Sequence, residues 1–320
     1  MVRPFLHRRL AGVIVWGSLC ALAAAQEISR KKTGEPVYLE PDAGTHWASA
    51  DDFPQFRQLG YRFVMVTIDP DPETWAPVLD AAEANGLQLI AGLWPPPYKL
   101  VQGAWEISLE GRAFLRYAAS RPGVVKAIYG YNEPYWVDPF TMRDNICGAL
   151  SAAQLRALRS AIREVWPEAA VFHDVGNPSV WAPGGWLHAA NPCIGNKYAD
   201  AAGVADFVGI WFFPFDQGTY RREEGLGMLR REIQYVTYRM GAQPIVSAQA
   251  FQCLHCGEAT RMPTDGELRD WNCSLRELQP HAISWYPWRQ DFYNDYLSNH
   301  PEYWDATRPS VCGTRAGPRL

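Results

Sequence analysis

The residues best suited to catalysis are Asn132 and Glu133, which stand directly before Pro134 at the end of an apolar run. Residues 124–131 are rich in β-branched and aromatic side chains, which predicts a buried strand. Because proline has no N–H to donate to a sheet, the strand must end there and leave Glu133 at its carboxyl end. A carboxyl group sheltered by aromatic rings is a candidate general acid, since burial raises a carboxyl pKa toward neutrality.

Carboxylates and large aromatic side chains recur at the ends of the other predicted strands. These endings are Glu40, Asp69, Trp94, His173 with Asp174, Trp211, Asp216, Gln249, and Trp285 with Trp288. Indole rings around a cavity favour a ligand with an apolar face, and a sugar ring offers such a face inside a perimeter of hydroxyls. We therefore predict a carbohydrate cleft whose binding residues are Trp94, Tyr131, Asn132, Trp211, Gln249, Trp285 and Trp288. Some of these indoles could instead pack under loops as core.

Strand-like and helical patterns alternate regularly along the chain, and the predicted strands position these residues. Strands are predicted over 36–40, 62–68, 87–93, 124–132, 170–175, 207–212, 244–251 and 282–288. Eight such units, with helical patterns between most of them, predict one (β/α)8 barrel with extended loops at its carboxyl-terminal face. No composition break divides the chain, so residues 26–320 are predicted to form a single domain.

The ending Tyr131-Asn132-Glu133-Pro134 on the fourth strand resembles the acid/base strand of the glycoside hydrolase superfamily with (β/α)8 barrels. The resemblance implies that Asn132 binds a sugar hydroxyl and that Glu133 protonates the departing oxygen. It also implies that Trp285 or Trp288 forms a sugar platform.

The seventh strand departs from that pattern, because Gln249 stands where the superfamily carries a nucleophilic Glu. The chain is similar in this respect to a subgroup of glycosidase-like barrels with Gln-Ala-Phe on strand seven. An amide cannot form a glycosyl-enzyme ester. Three explanations stay open: a second carboxylate from another strand, substrate assistance, or sugar binding without hydrolysis. The candidates for the second carboxylate are Asp174 first, then Asp69, Glu40 and Asp216, although Asp174 could also be a plain loop-start or capping residue.

The amino terminus and the cysteines predict an exported protein. Basic residues at 3, 8 and 9 precede an apolar run over 10–24, and three alanines close residues 1–25 as a signal peptide. The run is too short to span a bilayer comfortably, so no membrane partner is expected after cleavage. Six cysteines remain, and an even number in an exported chain predicts disulfides, with 15 possible pairings.

Several function classes are disfavoured by the sequence. Acidic and basic residues are nearly balanced, 34 against 30, and no basic patch interleaves with aromatics, so nucleic acid is not an expected partner. Phosphate-binding glycine loops, a serine-hydrolase elbow and a helical histidine pair do not occur, so no cofactor or metal is predicted. The favoured function is an exported glycoside hydrolase; the alternative is a non-catalytic carbohydrate-binding barrel.

Overall fold

The computed structural model describes residues 43–46, 48–134, 147–216, 218–254, 260–289 and 294–312. They all lie in one compact unit, residues 38–320. The signal peptide over 1–25 and the strand predicted over 36–40, which ends in Glu40, lie outside the described residues. The assignment of 26–320 to one domain stays a prediction.

Eight parallel strands form a closed barrel in which each strand pairs with the next along the chain and the last pairs with the first. The strands are β1 (Ala43–His46), β2 (Phe63–Ile68), β3 (Gln88–Leu93), β4 (Val125–Asn132), β5 (Val171–Gly176), β6 (Phe207–Phe212), β7 (Gln243–Gln249) and β8 (Ala282–Tyr286). The predicted (β/α)8 fold is therefore confirmed.

In the part of the chain that the structure describes, six helices of seven or more residues pack around the barrel. They are α1 (Phe53–Leu59), α2 (Trp75–Ala84), α3 (Leu109–Ala119), α4 (Ala152–Val165), α5 (Arg222–Tyr235) and α6 (Asp265–Glu277). Three of them, α3, α4 and α6, begin at a side-chain cap; Ser151, for example, forms a capping box with Gln154 at the start of α4. Between β5 and β6, residues 177–206 form a long loop with only short helices.

Period-two alternation decides which side chains enter the barrel and which meet the helices. In β2, for instance, Val64 and Val66 belong to the hydrophobic core under the helices, whereas Phe63 and Met65 are buried but lie outside that core. The last residues of β4, β5 and β7 lie at the mouth of the barrel, because all the parallel strands end there at their carboxyl termini.

Two elements differ from the sequence-based prediction. The first barrel strand is Ala43–His46 rather than 36–40, and its Gly44 lies so close to Phe63 that an added Cβ would sit 2.5 Å from the Phe63 carbonyl oxygen. A short Ala-Gly-Thr-His segment carries no apolar run, so the pattern does not reveal it. A β-hairpin also follows β3, with strands Tyr98–Val101 and Ala104–Ile107.

Two disulfides join Cys147 to Cys193 and Cys273 to Cys312, which confirms the predicted disulfide bonding. Cys253 is disulfide-bonded as well, while Cys256 lies outside the described residues. Among the helices that the structure describes, none has the length and apolar character needed to cross a bilayer.

Candidate active site at the mouth of the barrel

Glu133 lies immediately after β4 in a backbone conformation that non-glycine residues rarely adopt, with a φ of 46°. Its N–H donates to the carbonyl oxygen of Asp174 at 2.7 Å, and the next carbonyl, that of Pro134, accepts from Leu150 at 3.0 Å. The side chain is half-buried. Strained backbone of this kind is concentrated at functional sites, where the surrounding hydrogen bonds hold it in place.

Asp174 sits at the end of β5, directly beside the Glu133 strand, and Asn132 and Asp174 are register partners. The Asp174 side chain is 5% exposed. Gly209 on β6 makes room for it, because an added Cβ at that position would lie 2.6 Å from Asp174 Oδ1. Burial first, and then the charge of Glu133, raise the pKa of Asp174 from 3.8 to about 7. The two carboxyl groups therefore influence each other, as expected of a catalytic pair.

Tyr129 connects this pair to the substrate-binding candidate Asn132. The tyrosine is buried, and its hydroxyl donates to Asn132 Oδ1 at 3.2 Å. Burial, followed by the charges of Asp174 and Glu133, raises the Tyr129 pKa well above its ordinary value. The hydroxyl thus stays protonated and able to donate. Sequence reasoning missed Tyr129, because it is three residues from Asn132 and period-two alternation would put the two side chains on opposite faces; a register shift between them brings them together.

A β-bulge in β4 places Tyr129 and Tyr131, which regular alternation would put on the same face, on opposite sides of the barrel wall, because the register with β5 shifts between them. Tyr131 faces the helices; it is 4% exposed, packs against Trp105 at 6.1 Å, and donates its N–H to His173 Nδ1 at 3.0 Å. Burial lowers the pKa of His173 to about 3, so this ring is neutral. The prediction that Tyr131 contacts substrate is corrected, since it supports the strand from behind.

Gly130 in this bulge should tolerate no side chain. An added Cβ would lie 2.4 Å from His173 Cε1, and the buried imidazole cannot move away. We expect Gly130→Ala to lower the free energy of unfolding by about 1–3 kcal/mol. Gly123→Ala is the control, because an added Cβ there meets nothing within 4 Å. Chemical denaturation of both variants tests this, and equal stabilities would show that the bulge adapts freely.

Aromatic rings line part of the mouth. Trp94, directly after β3, is 51% exposed. Trp211 at the end of β6 is half-buried and stacks on Phe213, with ring centroids 5.0 Å apart and planes 3° from parallel. Phe213 in turn lies nearly parallel to Tyr286 at the end of β8, at 6.3 Å and 12°. Sequence reasoning included the two tryptophans but missed Phe213 and Tyr286.

Trp285 and Trp288, predicted as sugar platforms, are buried elsewhere. Trp285 is 0% exposed and donates its Nε1–H to the Thr307 carbonyl at 3.1 Å. Trp288 is 1% exposed and meets the edge of Phe56 at 4.6 Å. Neither indole leaves a face for a ligand, so these two assignments are corrected.

Gln249 ends β7 at the mouth but is fully buried. Its Oε1 accepts from the Phe215 N–H at 3.0 Å. Its Nε2 faces three backbone carbonyls, those of Phe215 at 3.4 Å, Phe251 at 3.2 Å and Arg261 at 3.3 Å. The amide thereby holds three mouth segments together, so its predicted contact with substrate is replaced by a structural role.

The other candidates for a second carboxylate serve local structure. Asp69 accepts from the Asp71 N–H at 2.8 Å and so closes a turn after β2. Asp216 pairs with Arg221 at 2.6 Å. Glu40 lies outside the described residues. Asp174, by contrast, lies on the strand that pairs with the Glu133 strand, and the charge of Glu133 contributes to its raised pKa.

Solved structures with similar folds are glycoside hydrolases. The chain aligns over 83% of its length with 89% of a beta-1,4-D-mannanase from Cryptopygus antarcticus, at a TM-score of 0.54 and 11% identity. It aligns over 87% of its length with 78% of the endo-beta-1,4-mannanase from Thermotoga petrophila, at 0.52 and 11%. The chain has the fold of the barrel glycoside hydrolases.

Other comparisons add little to this likeness. The exo-beta-1,4-mannosidase Op5Man5 from Opitutaceae bacterium strain TAV5 is 17% identical over 77% of this chain, with a TM-score of 0.47. The chain spans about half of that relative, 52% of its length. No protein-family model and no curated protein sequence matches the chain.

Proposed function

We propose that this protein is an exported glycoside hydrolase that cleaves O-glycosidic bonds of an oligo- or polysaccharide. The observation that carries the proposal is the pair of coupled carboxyl groups, Glu133 and Asp174, at the mouth of a closed parallel barrel. Exposed and half-exposed indoles of Trp94 and Trp211 at the same face suit the stacking of sugar rings. The disulfides support export, because such bonds persist in oxidising compartments.

In the proposed mechanism Glu133 gives its proton to the departing glycosidic oxygen, since it is the more exposed member of the pair. Asp174 accepts a proton from water as the water oxygen bonds to the anomeric carbon and the C–O bond to the leaving sugar breaks. The pair keeps one proton up to about pH 7, and because burial raises the pKa of Asp174, this proton lies on Asp174 before substrate binds. We propose that it passes to Glu133 when substrate binds, so that Glu133 enters the step protonated and Asp174 enters it ionised. Asn132 donates to a sugar hydroxyl. Because strand seven ends in Gln249, we expect inversion at the anomeric carbon.

The test is release of reducing ends from neutral β-linked polysaccharides, beginning with β-1,4-mannan because the similar folds include mannanases. We expect Glu133→Gln to lower turnover roughly 10²-fold or more on these substrates. The same variant should keep most of its activity on a dinitrophenyl glycoside, whose leaving group needs no proton. An equal loss on both substrates, or unchanged turnover, would remove Glu133 as the proton donor.

The stereochemistry of the first product separates the mechanisms. Proton NMR should show the anomer opposite to the substrate linkage. Retention would instead favour assistance by a substituent of the substrate itself.

A non-catalytic carbohydrate-binding barrel is the second candidate, and the buried Gln249 amide favours it. Binding of sugars, with no release of reducing ends from any of the polysaccharides tested, would support this second candidate over hydrolysis.

A further inference from the structure

A second concave surface lies beside the mouth, between the loop after β2, the loop after β3 and the hairpin of residues 98–107. It encloses about 380 Å³ and is lined by Pro70, Leu93, Pro95, Pro96, Pro97, Lys99, Glu106, Ile107, Ser108 and Glu110. We call it the proline cleft. Its volume is in the range of small-ligand sites. None of the residues assigned to the proposed catalytic step lies in it.

The proline cleft is rigid. Pro97 packs so tightly against α3 that a Cβ added at Gly111 would lie 2.6 Å from the Pro97 side chain. The Ser108 N–H also donates to the Pro97 carbonyl at 2.9 Å. Three consecutive prolines have few backbone conformations to lose, so a ligand binds such a wall at a low cost in ordering entropy.

The cleft adjoins the proposed active site through Trp94. Trp94, half exposed, lies in the chain between the lining residues Leu93 and Pro95, and β3 pairs with the Glu133 strand. Behind the strand, the contact of Trp105 with the buried Tyr131 fixes the hairpin to the Glu133 strand. A ligand that extends from the mouth past Trp94 therefore reaches the proline cleft next.

The charged residues of the cleft determine whether it binds neutral or anionic ligands. Lys99 and Glu106 are cross-strand partners on the hairpin, and Glu110 adds a second acid on α3. All three are exposed. Two carboxylates and one ammonium suit hydrogen bonds with uncharged hydroxyls but oppose uronic acid or sulfate groups.

We propose that the proline cleft is a distal binding site for a neutral glycan chain that reaches across Trp94 from the Glu133 site. The inference rests on the proposed function, since it assigns that substrate a length and a charge. A chain that fills both sites must be longer than the few sugar units that the mouth alone accommodates.

Binding is measured by titration calorimetry in the Glu133→Gln protein, with tri- and hexasaccharides of β-1,4-mannan, β-1,4-glucan and β-1,3-glucan. We expect the hexasaccharide of one series to bind at least about tenfold more tightly than its trisaccharide. The double variant Lys99→Ala/Glu106→Ala should lose that advantage and keep trisaccharide binding, because each lost charged hydrogen bond weakens affinity by about tenfold. Oligogalacturonides of equal length should bind at least tenfold more weakly.

Tyr238→Ala is the matched control for Trp94→Ala. Tyr238 is 64% exposed but lies in the middle of the π-helical turn after α5, ahead of the amino end of β7 and so on the opposite face of the barrel. Trp94→Ala should weaken hexasaccharide binding, and Tyr238→Ala should leave it unchanged.

The outcomes separate this inference from the proposed function. The distal site is overturned if the affinity does not depend on chain length. It is also overturned if the double variant still binds the hexasaccharide more tightly than the trisaccharide by the wild-type factor. Both results hold even if the wild type hydrolyses glycans. Chain-length-dependent binding that the double variant removes, with no hydrolysis by the wild type, supports the distal site and overturns the hydrolase. Absence of binding for every glycan overturns both.

Discussion

Replacement of Asp174 by Asn should stabilise the protein at alkaline pH while it removes most of the activity. The carboxyl group is 5% exposed, and burial together with Glu133 raises its pKa from 3.8 to about 7. Turnover should fall by roughly 10²–10⁴-fold, because the amide cannot accept the proton of water. Wild-type turnover should itself decline above about pH 7, where the carboxyl pair loses its last proton.

The sign of the stability effect follows from linkage. Below about pH 4, Asp174 is protonated in both the folded and the unfolded protein, so the wild type carries no penalty. Between about pH 4 and pH 7 the unfolded chain ionises whereas the folded protein stays protonated, so the wild type loses stability across this range, and the loss is complete above about pH 7. A shift of this size corresponds to an upper limit of about 4 kcal/mol at pH 8.

The measurement compares the free energy of unfolding of Asp174→Asn and the wild type at pH 4 and pH 8. Effects of the amide that do not depend on pH cancel in the difference between the two pH values. Glu168→Gln, which removes an exposed carboxylate, serves as the control and should show no such difference. If the difference in unfolding free energy between Asp174→Asn and the wild type were the same at both pH values, this carboxyl group would be solvated. Asp174 would then not be a member of the proposed pair.

Gln249→Glu should not create a retaining glycosidase and should instead destabilise the barrel mouth. The amide nitrogen faces three carbonyl oxygens within 3.4 Å, and a carboxylate has no hydrogen to give them. A buried, ionised group opposite three acceptors should cost about 3–5 kcal/mol at pH 8. Burial raises the pKa of such a carboxyl, so the loss should be smaller at pH 4, where the group is protonated in both states.

Gln249→Met is the matched control, because it removes the hydrogen bonds without adding charge. Its destabilisation should be the same at pH 4 and pH 8. Unfolding free energies and product stereochemistry of both variants provide the readout. If Gln249→Glu proved as stable as the wild type and hydrolysed glycans with retention, residue 249 would have to reach the substrate.

The sequence predicted the barrel and the Glu133 strand because their signals are local. Proline after a β-branched run ends a strand wherever the chain folds, and alternating strand and helix patterns suffice for the barrel. Asp174 was also found by its place at a strand end. Its coupling to Glu133 depends on the neighbouring strand and on the space at Gly209, which lies in a third strand.

The errors concern side chains whose roles depend on distant segments. Trp285 alternates with Ser284 and Tyr286 in β8, and residues on both faces of that strand are buried, so the pattern could not tell which face meets the helices. The role of Gln249 depends on carbonyls of Phe215 and Arg261, far away in the chain. The hairpin after β3 was missed because three prolines indicate a loop, which hides the strands that follow them.

The bond between Cys147 and Cys193 has a consequence for how the molecule withstands proteases. It turns residues 147–193, which include α4, β5 and Asp174, into a covalent ring. The exposed Trp186 lies within that ring, on the loop where a protease would most readily cut. A single cut there leaves β4 and β5 on the amino-terminal fragment, and the disulfide keeps the fragment with β6, β7 and β8 joined to it until a reductant releases them.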